Sequence, residues 1–139
     1  MAGQQKLLNF ITVSAGMLAL IFWLSTLQQP LIDQHEFRQT QTAISALFMG
    51  SGLQSLINYE TPILGSPWAI PFEFPFYQWI VSLTAKLLPL SLSSCGRLIS
   101  IAFGLACLWP SWQLMRQFRI SRTGQKLFLI LVFTSSIYL

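Results

Sequence analysis

Leu7–Leu27, LLNFITVSAGMLALIFWLSTL, carries no charged side chain over its 21 residues. Coiled as a helix at about 1.5 Å per residue it reaches roughly 30 Å, the thickness of a bilayer's hydrocarbon core. It reads as a first transmembrane helix. Lys6 before an apolar run is also how a secretory signal begins, but Leu24-Ser25-Thr26-Leu27-Gln28-Gln29 contains no small-x-small cleavage pattern, so the helix is expected to stay attached. Composition agrees: 53% of residues are hydrophobic and 9% charged, far from the roughly 25% charged of soluble domains. The chain is expected to be an all-α, polytopic membrane protein.

Working outward, a second span runs over about residues 98–115, LISIAFGLACLWPSWQLM, with Gly104 and Pro110 inside it. Pro110 is expected to kink it, because proline lacks the N–H that the preceding turn would use. Arg116, Arg119, Arg122 and Lys126 follow, and then residues 127–139 begin a third apolar run. Thirteen residues fall short of a crossing. The chain is therefore read as the front part of a longer protein, one N-terminal portion of a single transmembrane domain.

The segment from Phe74 to Leu90 is apolar, yet its uninterrupted part before Pro89 is short, and Gln78, Ser82 and Lys86 recur every fourth residue opposite Phe76, Trp79, Ile80, Leu83 and Leu87. Such a helix suits the membrane interface rather than a crossing. Charge balance points the same way. If this segment does not cross, Lys6 and the four cations of residues 116–126 share the cytoplasmic side, as the positive-inside rule requires. Residues 28–96 then form an extracytoplasmic region between the first helix (about 7–27) and the second (about 98–115). The net charge of +4 is a consequence of topology and does not indicate nucleic-acid binding.

Cys95 and Cys107, twelve helical residues apart, would be separated by roughly 18 Å, too far for a disulfide. Both are expected to be reduced packing residues. No zinc spacing, phosphate-cradling glycine loop or nucleophile elbow occurs.

All four carboxylates, Asp33, Glu36, Glu60 and Glu73, lie between the first two spans. Any chemistry belongs there. Asp33-Gln-His-Glu36 has the form of a helix capping box, and Phe37, Ile44, Leu47 and Phe48 are spaced for one apolar face of a short helix on the membrane. Asp33 has two compatible readings. It can cap that helix, and a carboxylate at a membrane surface can act as general base on a hydroxyl or amine, with Arg38 and the helix N-terminal amides holding a lipid phosphate. His35 reads as a solvated residue or as one that helps to place a sugar or phosphate; it is not assigned as a metal ligand. Glu60 sits in an ordinary loop. Glu73, in Pro71-Phe-Glu-Phe-Pro75, reads as a charge at a helix N-terminus or as part of the same cavity.

A membrane helix, an aspartate just beyond it, the run His35-Glu-Phe-Arg-Gln-Thr-Gln-Thr-Ala43 and then Phe72-Glu-Phe-Pro-Phe-Tyr-Gln78 together resemble the start of a GT-C membrane glycosyltransferase. The pattern is nearest to the family 39 type, which includes protein O-mannosyltransferases and lipid A aminoarabinose transferases. The resemblance covers about residues 7–135. It implies a bacterial inner-membrane enzyme that moves a sugar from a polyprenyl-phosphate donor to a glycan, lipid or protein acceptor on the extracytoplasmic face. By position Asp33 would be the catalytic aspartate. Glu73 would match the family's Glu-x-Pro glutamate, with Glu36, Arg38, His35 and Lys86 contributing to substrate binding. Two departures stand out: Phe74 occupies the place of a lysine in the aminoarabinose transferases, so Arg38 or Lys86 would have to supply that charge, and Gln34 follows Asp33 where an acidic residue is usual. The implied reaction is inverting displacement with the carrier phosphate as leaving group. No cofactor is expected beyond the lipid-linked donor, and a divalent metal is left open. The alternative expectation is a non-enzymatic small membrane protein or an inactive truncated remnant. A transporter fragment is disfavoured, because the polar residues lie between the spans rather than within them.

Overall fold

The computed structural model describes residues 2–29, 36–60, 62 and 74–135. Over these the chain is all-α: α1 (Ala2–Thr26), α2 (Glu36–Phe48), α3 (Phe76–Leu87), α4 (Leu92–Ala106), α5 (Leu108–Gln117) and α6 (Arg122–Ser135), with one 3-10 turn at Leu53–Leu56 and no strand among the described residues. Two helices are long and apolar enough to cross a membrane: Gly3–Thr26, of 24 residues, and the continuous helix Leu92–Gln117, of 26, which joins α4 and α5.

Local chemistry explains where each helix stops. Pro89 drives the residue before it out of the helical region, and Leu88, the last cap of α3, is extended at φ −110°, ψ 140°. Ser91 then starts α4 by accepting a hydrogen bond from the Ser94 N–H at 3.1 Å, the ordinary service of a serine N-cap. That cap carries the second long helix six residues upstream of the expected start at Leu98. Pro110 marks the join of α4 and α5. It cannot donate to Ala106, so α4 ends there and α5 begins at Leu108, with Pro110 in the first turn, where proline is tolerated. Ser121 caps α6 by accepting from the Gly124 N–H at 3.2 Å.

The turn between α5 and α6 is a Schellman motif. Ile120 N–H donates to Met115 O (2.9 Å) and Arg119 N–H to Arg116 O (3.1 Å), which places Arg119 at the left-handed position with φ 52°. Glycine is the usual occupant. A residue with a Cβ costs of order 1 kcal/mol there.

The chain divides into two compact units, one made of α1 with the residues from Ile101 onward, the other of Leu27–Ser100. In the first, α1 and α6 pack together. Gln5 Nε2 donates to Thr123 Oγ1 (3.3 Å) and Lys126 Nζ to Gln5 Oε1 (2.8 Å), while further along a Cβ on Gly16 would stand 3.3 Å from the Phe133 ring. The start of α6 meets the start of α1 and its end meets the middle of α1, so α1 and α6 run in the same direction. Ala19 of α1 is buried, whereas Phe10 is 70% and Leu18 64% exposed.

In the second unit the core is Ala46 of α2, Val81 of α3 and Cys95 of α4, with Tyr77, Ala85, Leu92 and Ile99 packed on it. Ser45, Gln78, Ser82 and Ser94 are buried beside them, while Leu47, Phe48, Phe76 and Leu87 are exposed. Of the polar stripe of α3, Gln78 and Ser82 are turned inward, while Lys86 at its end is exposed. Serines and a glutamine are thus buried in this unit together with Val81 and Met49, while several leucines and phenylalanines are exposed. Cys95 packs as expected. Cys107 does not: it is exposed, and both thiols are free.

Candidate functional site

The region that follows α1 is built from hydrogen bonds to chain ends. Ser94 Oγ donates to Leu27 O at 2.8 Å, tying the residue just past α1 to the first turn of α4. Tyr77 Oη donates to Gly96 O at 2.8 Å and lies 2.8 Å from Ser100 Oγ, which pins α3 to α4. Ser82 Oγ donates to Met49 O at 3.2 Å. Lys86 Nζ donates to the same carbonyl and to Ser51 Oγ, each at 3.0 Å. Each such bond contributes about 1 kcal/mol net, and those to Leu27 O and Met49 O satisfy carbonyls just past the ends of α1 and α2.

These bonds place the expected site residues unequally. Asp33, His35 and Glu73 lie outside the described residues. Glu36 opens α2, and Arg38 is in its first turn. Lys86 sits at the other end of the same helix, bonded just beyond Phe48. Ten helical residues separate Arg38 from Phe48, roughly 15 Å along the axis. Lys86 and Arg38 therefore serve different ends of α2, and Lys86 acts as a cap for its tail. Glu60 is exposed in a non-helical segment, in keeping with an ordinary loop.

An open cleft of about 380 Å³ lies where the chain leaves α1, lined by Leu27, Gln28, Pro89, Leu90, Ser91, Ser94 and Leu98. Its walls are mainly hydrocarbon with two serine hydroxyls, a surface suited to an alkyl or isoprenoid chain. Arg97, half-buried in α4 between Gly96 and Leu98, is a cation the sequence reading did not single out. Its neighbours Ser94 and Leu98 line the cleft; the signal available was the serine cap three residues upstream of Ser94, which brings this turn of α4 beside the end of α1. Among the described residues no three histidine, cysteine, aspartate or glutamate side chains come together. No family model, curated protein or solved structure matches this chain.

Proposed function

We propose that the protein is a membrane glycosyltransferase of GT-C type, transferring a sugar from a polyprenyl-phosphate donor to an acceptor at the extracytoplasmic face of a bacterial inner membrane. One observation carries the reading: the acidic and basic run Asp33–Arg38 leads into α2 directly after a 24-residue apolar helix, and the chain holds no carboxylate outside residues 33–73. Three features support it. α1 and α6 run parallel, so if α1 crosses outward the helix Leu92–Gln117 supplies the return and α3, 12 residues long and roughly 18 Å, has no need to cross. The second unit exposes apolar side chains as a lipid-bathed structure does. The hydrocarbon-lined cleft at the end of α1 offers a berth for part of a prenyl chain.

In the mechanism, Asp33 accepts the proton of the acceptor hydroxyl or amine as that atom bonds to the anomeric carbon. The bond from that carbon to the phosphate oxygen breaks, the electron pair leaves with the polyprenyl phosphate, and the configuration inverts. Positive charge beside the departing phosphate lowers the barrier. Arg38 is the cation at the head of α2 for that task, with Glu36, His35 and Glu73 positioning sugar and acceptor; Lys86, engaged at the tail of α2, is a secondary candidate.

The test compares full-length wild type with Asp33→Asn in membranes supplied with radiolabelled polyprenyl-phosphate mannose and polyprenyl-phosphate aminoarabinose. Wild type is expected to transfer one of them, and Asp33→Asn to lose at least about 100-fold in rate with unchanged membrane insertion. Normal transfer by Asp33→Asn would remove the catalytic role of Asp33. A rival reading, a non-enzymatic membrane subunit, draws on the extensive apolar surface of every helix and expects no transfer from either donor.

A further inference from the structure

We infer that the end of the first unit formed by the starts of α1 and α6 and the α5–α6 turn is a docking surface for anionic phospholipid headgroups. The inference rests on the membrane reading of α1 and Leu92–Gln117 and is independent of sugar transfer. The hydrogen bonds from Gln5 to Thr123 and from Lys126 to Gln5 bring the start of α1 to the start of α6, so Lys6, Arg116, Arg119, Arg122 and Lys126 gather at one end. Arg116, Arg119 and Arg122 are all exposed. No counter-charge is available within this unit, because every carboxylate of the chain lies in residues 33–73.

Two independent features show that this concentration of charge is held against local preference. Arg119 occupies the left-handed position of a Schellman turn, φ 52°, where glycine is preferred, and an outlier of this kind points toward function. Arg122 and Lys126 stand in the first turns of α6, beside the positive end of its dipole, where cations are disfavoured and anions favoured. A phosphate bound there would meet the N-terminal amides of α6 and guanidinium groups on either side of the cap Ser121, with the exposed side chains of Phe118 and Ile120 reaching the adjoining hydrocarbon. Arginine forks match phosphate oxygens bidentately. The neighbourhood of an apolar helix end makes a headgroup, rather than a soluble polyanion, the occupant.

The experiment reconstitutes the full-length protein in nanodiscs of equal parts phosphatidylglycerol and phosphatidylcholine and measures the lipids retained after detergent extraction by native mass spectrometry. A nanodisc presents both faces alike, so an altered insertion direction does not affect the result. Wild type is expected to enrich phosphatidylglycerol. Arg119→Gly should reduce the enrichment roughly fivefold, the effect of one cation at an anionic surface, without loss of thermal stability, since glycine suits the turn. Arg116→Gln, Arg119→Gly and Arg122→Gln combined should bring the ratio near unity, with helix content by circular dichroism unchanged. Equal enrichment in wild type and the triple variant would overturn the inference. So would loss of enrichment in inorganic phosphate but not in chloride of matched ionic strength, which would identify a free-phosphate site, or tighter retention of RNA than of phosphatidylglycerol. None of these outcomes depends on Asp33 or on turnover.

Discussion

The α1–α6 pair and the helical cluster of Leu27–Ser100 handle polarity in opposite ways. In the α1–α6 pair Gly16 meets the Phe133 ring, and polar side chains hydrogen-bond between the two helices at one end, among Gln5, Thr123 and Lys126. In the cluster polar side chains join the helices to one another: Ser82 and Lys86 bond the tail of α2, Tyr77 bonds α4, and Ser94 bonds Leu27. The difference teaches that long and short helices meet their polar groups by two designs. A long helix satisfies its own backbone and needs only a close neighbour. Short helices have many unpaired ends, and their inward polar stripe provides the donors.

The comparison breaks most readily at Ser82, which is 2% exposed and bonded to Met49. Ser82→Phe removes a donor and overfills the α2–α3 contact, and is expected to destabilise the cluster by about 3 kcal/mol when unfolding is followed by denaturant titration in micelles. If the stripe faced water instead, the same change would be nearly silent. Gly16→Leu tests the other design. The Phe133 ring leaves no room for the larger side chain, so α1 and α6 should separate, at a cost of about 2 kcal/mol, read as lost cross-linking between cysteines placed at Gln5 and Thr123. Lys86→Met has the smallest effect and sharpens the assignment of roles. It should weaken the α2 tail by about 1 kcal/mol, while the sugar-transfer rate of the folded protein stays within a few-fold of wild type; a hundredfold fall in rate at unchanged stability would instead make Lys86 a carrier-phosphate ligand.

Much of the helix layout was legible before any coordinates. Pro75 and Pro89 bracket α3, observed at Phe76–Leu87 against an expected 74–90, and the uncharged run at Leu7–Leu27 lies within two residues of the end of α1. Which way each face points was less legible. A four-residue repeat of Gln78, Ser82 and Lys86 fixes that one side of the helix is polar but not what that side meets; Gln78 and Ser82 meet neighbouring helices, and Lys86 is exposed. The early start of α4 follows from Ser91, a cap signal obscured because the apolar window begins later. The parallel pairing of α1 and α6 depends on contacts more than a hundred residues apart, which periodicity does not encode. Of the candidate site, Asp33, His35 and Glu73 fall outside the described residues, and the separation of Lys86 from Arg38 emerged only once α2 had a tail with a partner.

The central proposal is the topology read from the sequence, with residues 28–96 extracytoplasmic and the cations of residues 116–126 cytoplasmic. It is tested most directly by replacing Cys95 and Cys107 with alanine, placing single cysteines at Ser51 or Ser121, and labelling intact cells with a membrane-impermeant maleimide. The account predicts that Ser51→Cys is labelled in intact cells and Ser121→Cys only after permeabilisation. Labelling of both from outside, or of Ser121→Cys alone, would contradict the topology and with it the placement of Asp33 at an extracytoplasmic site.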